Sequence, residues 1–205
     1  MPNAKQTKAK QRGMAERAQE ILGRVFPNVP EQCLWHRSRN KGYCTLPRTL
    51  PLAMQAIDAR SKGHPAGHTL FCLWVRSPDN PLVTIENPTI FAAEAGFSGR
   101  RATDTWRRRM KQLASLNFIK HEPGPSGEFH YVLLLNPNVA VEEMSKKGLV
   151  QKNLYNHFIE RLSEIGGLQD IKEIEKLCIN AQNNEQQDRV TPTVNPDCFN
   201  QKAEA

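Results

Sequence analysis

Residues 98–112 read SGRRATDTWRRRMKQ and place five arginines and one lysine around a tryptophan. On a helix that turns about 100° per residue, Trp106, Met110 and Leu113 share one side, with Ala102 and Leu116 near its edges. The pattern therefore predicts a helix at residues 99–116 with an apolar stripe facing the core. The opposite side receives mostly polar and charged residues: Arg100, Arg101, Asp104, Arg107, Arg108, Lys111, Gln112 and Ser115.

The charge on this outer side is unusual for a helix that needs only solubility. Such helices mix acids with bases, because oppositely charged residues four positions apart stabilise each other. Here Asp104 is the one acid among five bases, and bases near a helix start oppose the helix dipole. We expect a polyanion to supply the missing negative charge, because Lys and Arg that neutralise phosphates release condensed counterions.

Positive charge is also distributed unevenly along the whole chain. The net charge is +7 at pH 7; residues 1–50 contain 10 bases and 3 acids, residues 51–121 contain 10 bases and 5 acids, and residues 122–205 contain 8 bases and 13 acids. The positive excess therefore lies in the first 121 residues. Charge alone is equally consistent with a basic surface that aids solubility.

Cysteine usage and hydropathy narrow the class of protein. The five cysteines are odd in number and include no C-x-x-C pair, so we expect reduced thiols rather than a disulfide framework or a zinc module. No apolar run approaches a membrane span of roughly 20 residues, and no apolar stretch follows the basic N-terminus as in a signal peptide. These features predict a cytoplasmic protein without membrane contact.

The segments around the arginine-rich helix predict an ordered series of short elements. Residues 69–77 are an apolar run compatible with helix or strand, LVTIE at 82–86 predicts a strand, and IFAAEAG predicts a short helix that ends at Gly96. After residue 116, NFIKHE and EFHYVLLLNP flank PGPSG and predict a hairpin. The order from residue 69 is therefore helix, strand, helix, helix, strand, strand.

Ala92 and Gly96, four residues apart and just before the basic helix, fit a helix-turn-helix in which glycine takes a positive φ at the turn. With the flanking strands, residues 67–137 resemble the winged helix-turn-helix family. The resemblance implies that residues 99–116 form the recognition helix in the DNA major groove and that the hairpin is the wing. The recognition positions it implies are Arg100, Arg101, Thr103, Asp104, Arg107, Arg108 and Lys111.

The implied wing lacks arginine and lysine at its tip, PGPSG, so we expect another basic segment to replace it. Residues 1–46 predict a partly helical basic arm, helical at residues 4–22. The candidate phosphate contacts in this basic region are Arg37, Arg39 and Lys41 in the arm and Arg48 just after it.

The remaining chain predicts helices and then a tail. Leu154, Phe158, Leu162 and Ile165 have helical spacing, as do Ile171, Ile174 and Cys178. These acidic helices, at residues 138–182, either cap the domain at 47–137 or pair with a second copy, and we favour a homodimer through residues 150–180. Residues 183–205 predict a disordered tail. The predicted class is mainly α with a small β-hairpin (α+β).

Other kinds of site are weakly indicated. His64 and His68 have a metal-compatible spacing but sit in GHPAGH, where Pro65 and Gly67 favour a loop. We find no nucleophile beside a base, no paired carboxylates and no phosphate-binding glycine loop, so we expect no enzyme activity, metal or cofactor.

The sequence thus predicts a protein that binds double-stranded DNA, and most plainly a transcriptional regulator. One alternative is a replication initiation or partition protein of a plasmid or other mobile element, since such proteins also resemble winged helices. A second alternative is a protein-interaction adaptor whose basic helix meets an acidic partner.

Overall fold

The computed structural model describes residues 4–61, 63–77, 80–169 and 171–173. The chain divides into two compact units, Met1–Tyr43 and Cys44–Ala205. The division falls three residues before the boundary expected at residue 46. None of the described helices is both long and apolar enough to cross a membrane.

The N-terminal unit is built around helix α1, Ala4–Val25, which confirms the predicted helical arm. A 3-10 turn at Glu31–Cys33 follows. Trp35 is 65% exposed, and the guanidinium of Arg37 lies 4.8 Å from the centre of the Tyr43 ring. This unit therefore has a long basic helix and a short, largely exposed irregular segment.

The second unit begins with two helices that pack closely, α2 at Leu50–Ala59 and α3 at Gly67–Val75. The Asp58 carboxylate accepts hydrogen bonds from the backbone N–H groups of Ala66 and Gly67 and so caps the start of α3. A Cβ at Gly67 would lie 2.8 Å from the Met54 Cβ, so glycine permits the approach of the two helices. The ambiguous apolar run at residue 69 is a helix.

Strands β1 (Leu82–Thr84), β2 (Ile119–Gly124) and β3 (Gly127–Leu134) form one antiparallel sheet with the order β1-β3-β2. The predicted hairpin is present, but its turn is shorter than PGPSG because Gly124 and Gly127 pair across the strands. A Cβ at Gly124 would lie 2.4 Å from the His130 ring. Close approach to the buried His130 thus extends the pairing into the expected loop.

Along the chain, helices α4 (Pro88–Glu94) and α5 (Ala102–Ser115) follow β1 and precede β2. The side-chain oxygen of Asn87 caps α4 by accepting from the Thr89 N–H. Gly96 ends the helix with a φ of 84°, as predicted for the turn. A second positive φ at Gly99 (82°) lengthens the connection, so α5 begins at Ala102 and not at the predicted residue 99. The two helices pack directly against each other.

Two further helices follow the sheet, α6 at Pro137–Lys146 and α7 at Lys152–Ile165, and the described residues 168–169 and 171–173 are also helical. Both pack against α2. Met144, Phe158 and Leu162 belong to the same buried cluster as Trp106. The segment predicted at 138–182 therefore shares one core with residues 47–137 as far as it is described, and its apolar stripe caps that core. Ile174, Cys178 and the predicted tail at 183–205 lie outside the described residues.

Candidate nucleic-acid interface

The apolar stripe of α5 packs against the preceding helix and against the hairpin. Trp106, Met110 and Leu113 are buried, as their helical spacing predicts. The Trp106 ring lies 6.4 Å from the Phe91 ring of α4 and meets the Phe129 ring of β3 edge-on at 5.9 Å. Aromatic burial of this kind stabilises a core strongly. The orientation of α5 is therefore set by contacts with both its preceding helix and the hairpin.

The side of α5 opposite Trp106 is exposed and basic. Arg108 and Lys111 are exposed on the helix, and Thr103 and Arg107 are partly buried beside them. Arg100 and Arg101 are also exposed, but they precede the helix, and Arg101 occupies its N-cap position with a φ of −107°. The prediction that these two arginines lie on the outer side of the helix is thus wrong, because the chain at residues 99–101 is a turn.

Two of the predicted basic positions have acidic partners within the chain. Arg107 Nη1 lies 3.4 Å from Asp104 Oδ1, one helical turn earlier, and Lys111 Nζ lies 3.1 Å from Glu128 Oε2 on β3. Exposed pairs such as these are worth about 0.2 to 1 kcal/mol. Over the described ranges, Arg100, Arg101 and Arg108 form no ion pair. The surface therefore has three unpaired guanidinium groups beside two weakly paired bases.

Arg109 has a different environment from its neighbours. Its guanidinium lies 5.8 Å from the Phe97 ring centre, and its Nη2 donates to His64 Nδ1 at 3.5 Å. Burial, followed by the nearby charge of Arg108, lowers the pKa of the Arg109 side chain below its ordinary value. The Arg109 side chain is therefore partly buried. Arg109 attaches α5 to the 63–66 loop, a contact to which no sequence signal pointed.

The hairpin contributes little positive charge to this surface. His130, which flanks the predicted tip, is buried, and its Nδ1 lies 2.8 Å from the Ser126 hydroxyl. The His121 ring packs at 4.4 Å against the Phe129 ring. Lys120 is exposed on β2. Within the hairpin, Lys120 is thus the exposed Lys or Arg side chain.

The four candidate phosphate contacts at residues 37–48 do not belong to one structural unit. Arg37, Arg39 and Lys41 are exposed in the N-terminal unit, whereas Arg48 belongs to the second unit and precedes α2. Arg48 borders an apolar groove lined by residues that include Leu46, Met54 and Phe71. The expected arm is therefore divided between two structural units.

Of the two histidines considered as metal ligands, both are exposed, and His64 contacts Arg109 of α5. In the described ranges of the chain, no three His, Cys, Asp or Glu side chains are grouped to hold a metal ion. Cys72 is buried with its Sγ 3.7 Å from His68 Nε2. Burial first, and then the Glu94 charge, raises the pKa of the Cys72 thiol. A neutral buried thiol is a packing group rather than a nucleophile.

Comparison with known proteins provides no relative from which to transfer a role. The chain matches no protein-family model, no curated protein and no solved structure. Function must therefore be inferred from the chemistry of the chain's own residues.

Proposed function

We propose that this protein binds double-stranded DNA by placing α5 in the major groove, in the manner of a winged helix-turn-helix protein. The observation that supports this most directly is the polarity of α5. A buried Trp106, Met110 and Leu113 stripe is opposed by an exposed side with Arg108 and Lys111. The major groove of DNA admits an α-helix whose outer side chains contact base edges and phosphates.

The order of elements gives the proposal a second support. Helix α3 is followed by β1, α4, α5 and the β2–β3 hairpin, and β1 pairs with β3. This is the order that the winged helix resemblance implies, with α4 and α5 as the helix pair and the hairpin as the wing. We propose the winged helix core on this basis.

Individual roles follow from position and pairing. Arg101 and Arg108 are exposed and form no ion pair in the described segments, so each is suited to fork onto the O6 and N7 atoms of guanine. Asp104 accepts from cytosine N4 in this scheme, which requires that it release Arg107 from their 3.4 Å pair. Arg100, Arg107 and Lys111 contact phosphates, and the Thr103 methyl is suited to contact thymine.

The biological role proposed for this DNA binding is transcriptional regulation. Initiation or partition on a mobile element uses the same kind of interface, and the two roles differ in where the protein binds. A protected site in a promoter supports regulation, whereas protected repeats at a replication origin support initiation. An adaptor that binds an acidic protein protects no specific DNA.

The test is a selection of bound sequences from a random duplex library with the full-length protein at near-physiological salt. We expect an enriched motif that the Arg108→Ala variant selects less stringently. The control is Arg161→Ala, which removes one arginine from a different helix, α7. Retention without enrichment, lost equally in both variants as salt rises, refutes sequence-specific binding by α5.

A further inference from the structure

The three-stranded sheet has one side on the core and one side in solvent. Its outer sheet face consists of six exposed residues in two rows across the strands: Leu82, Leu133 and Lys120 in the first row, and Thr84, Tyr131 and Glu122 in the second.

The apolar members of this face are exposed to solvent. Leu82 is 47% exposed, Tyr131 42% and Leu133 38%. Leu82 and Leu133 are directly paired across β1 and β3, and Ile90, also exposed, lines a groove that includes Leu82. Single exposed apolar residues are ordinary, but a contiguous group on a flat surface is typical of a contact site.

The charges on the face are arranged so that it complements itself. Lys120 and Glu122 project from the same strand two residues apart, and neither forms an ion pair within the described ranges. Consider a two-fold axis that lies between the two stacked sheets, parallel to their planes, perpendicular to the strands and midway between the two rows. This axis places Lys120 of each copy over Glu122 of the other. The same operation places Leu133 over Tyr131, an apolar pair on the central strand, and Leu82 over Thr84.

We infer that the outer sheet face binds the outer sheet face of a second copy of this chain. Two sheets stacked face to face lie about 10 Å apart, which brings the facing side chains into contact. The contact is isologous, as in most two-fold dimers. Six residues are fewer than the roughly 20 to 30 per partner of a standard interface, so we expect a weak, transient dimer.

This surface differs from the segment at 150–180 that the sequence favours for dimerisation. Phe158 and Leu162, the central apolar residues of α7, are buried in their own chain and are not available to a partner. The outer sheet face remains open among the described residues. Its six residues lie on β1, β2 and β3 and none lies on α5, so self-association and DNA binding are measured in separate experiments.

The experiment is sedimentation equilibrium of the full-length protein across the micromolar range without DNA. We expect a monomer–dimer equilibrium that Leu133→Ser weakens about tenfold or more. Lys120→Glu and Glu122→Lys, made separately, each oppose like charges and raise the dissociation constant. The double exchange Lys120→Glu with Glu122→Lys restores it, because unlike charges again face each other across the axis.

The matched control is Lys152→Glu, a charge reversal at an exposed position at the start of α7. It leaves the dimer unchanged if the outer sheet face is the interface. A monomer at every concentration, or a dimer that Leu133→Ser and both single charge reversals leave intact, overturns the inference. Melting curves of all variants confirm that each is folded. Loss of the dimer with DNA binding intact, or the reverse, separates this inference from the proposed function.

Discussion

Lys111 Nζ on α5 lies 3.1 Å from Glu128 Oε2 on β3, so an acid of the hairpin holds a base of the proposed recognition helix. Both side chains are largely exposed, at 60% and 43%, and the pair contributes less than about 1 kcal/mol to folding. In the proposed DNA complex, Lys111 would exchange Glu128 for a phosphate at little cost. The Glu128 carboxylate would then compete with that phosphate for Lys111.

Replacing Glu128 by Gln is accordingly expected to tighten DNA binding. The substitution removes the competing carboxylate and leaves Lys111 free for phosphate, with a gain of up to about 1 kcal/mol, or roughly fivefold. Fluorescence anisotropy with a labelled duplex measures this. Glu160→Gln on α7 changes the net charge equally and is the control. Equal affinity for the Glu128→Gln variant and this control contradicts the role given to Lys111.

Arg108→Ala is expected to weaken binding to the selected site by about 1 to 3 kcal/mol and to relax the choice of one base pair, since a forked contact to guanine is lost. Arg101→Ala is expected to behave alike at another base pair. Competition against single-base variants of the site gives the measurement. If both variants bind every duplex as the parent does, the reading surface has been assigned to the wrong residues.

Arg100→Ala addresses phosphate contact instead. An arginine that neutralises a phosphate releases counterions, so its loss reduces the slope of log affinity against log salt by about 1. The choice of bases stays as in the parent. Titrations at several salt concentrations provide the slope, with Arg161→Ala as the reference for loss of a distant charge. A parental slope with altered base preference moves Arg100 into the base-reading group.

Trp106→Ala is expected to destabilise the second unit by about 3 to 5 kcal/mol, because a fully buried aromatic ring packed on Phe91 and Phe129 is removed. The same substitution at Trp35, which is 65% exposed, is expected to change stability by less than about 0.5 kcal/mol. Urea unfolding followed by circular dichroism compares them. Equal midpoints in the two variants mean that α5 is turned differently.

Phe158→Ala tests whether α7 belongs to the same cooperative unit as α5. Phe158 is buried in the core cluster that contains Trp106. Its truncation is therefore expected to lower the free energy of unfolding of the whole second unit by about 3 to 5 kcal/mol. Tyr155→Phe, which removes only a hydroxyl 2.7 Å from Glu142, is expected to cost about 1 kcal/mol. A separate low-stability transition for α7 in the Phe158→Ala variant contradicts the shared core.

Local periodicity was enough to establish the elements that matter most to the proposed function. The spacing of Trp106, Met110 and Leu113 defines which side of α5 is buried, and the position of Gly96 defines where α4 ends. Alternating and β-branched residues locate the strands on each side. These features follow from the helical and extended repeats, which depend on neighbouring residues alone.

Contacts between distant residues decided the rest. Whether the apolar stripe of α7 capped its own chain or faced a second copy depended on how α2 and α7 meet, since a helix pattern does not specify its partner. The pairing of Gly124 with Gly127 beside His130 shortened the hairpin turn, and Glu128 reached Lys111 because β3 returns alongside α5. Periodicity assigns a side chain to one face of a helix or strand, but only the tertiary structure determines what that face contacts.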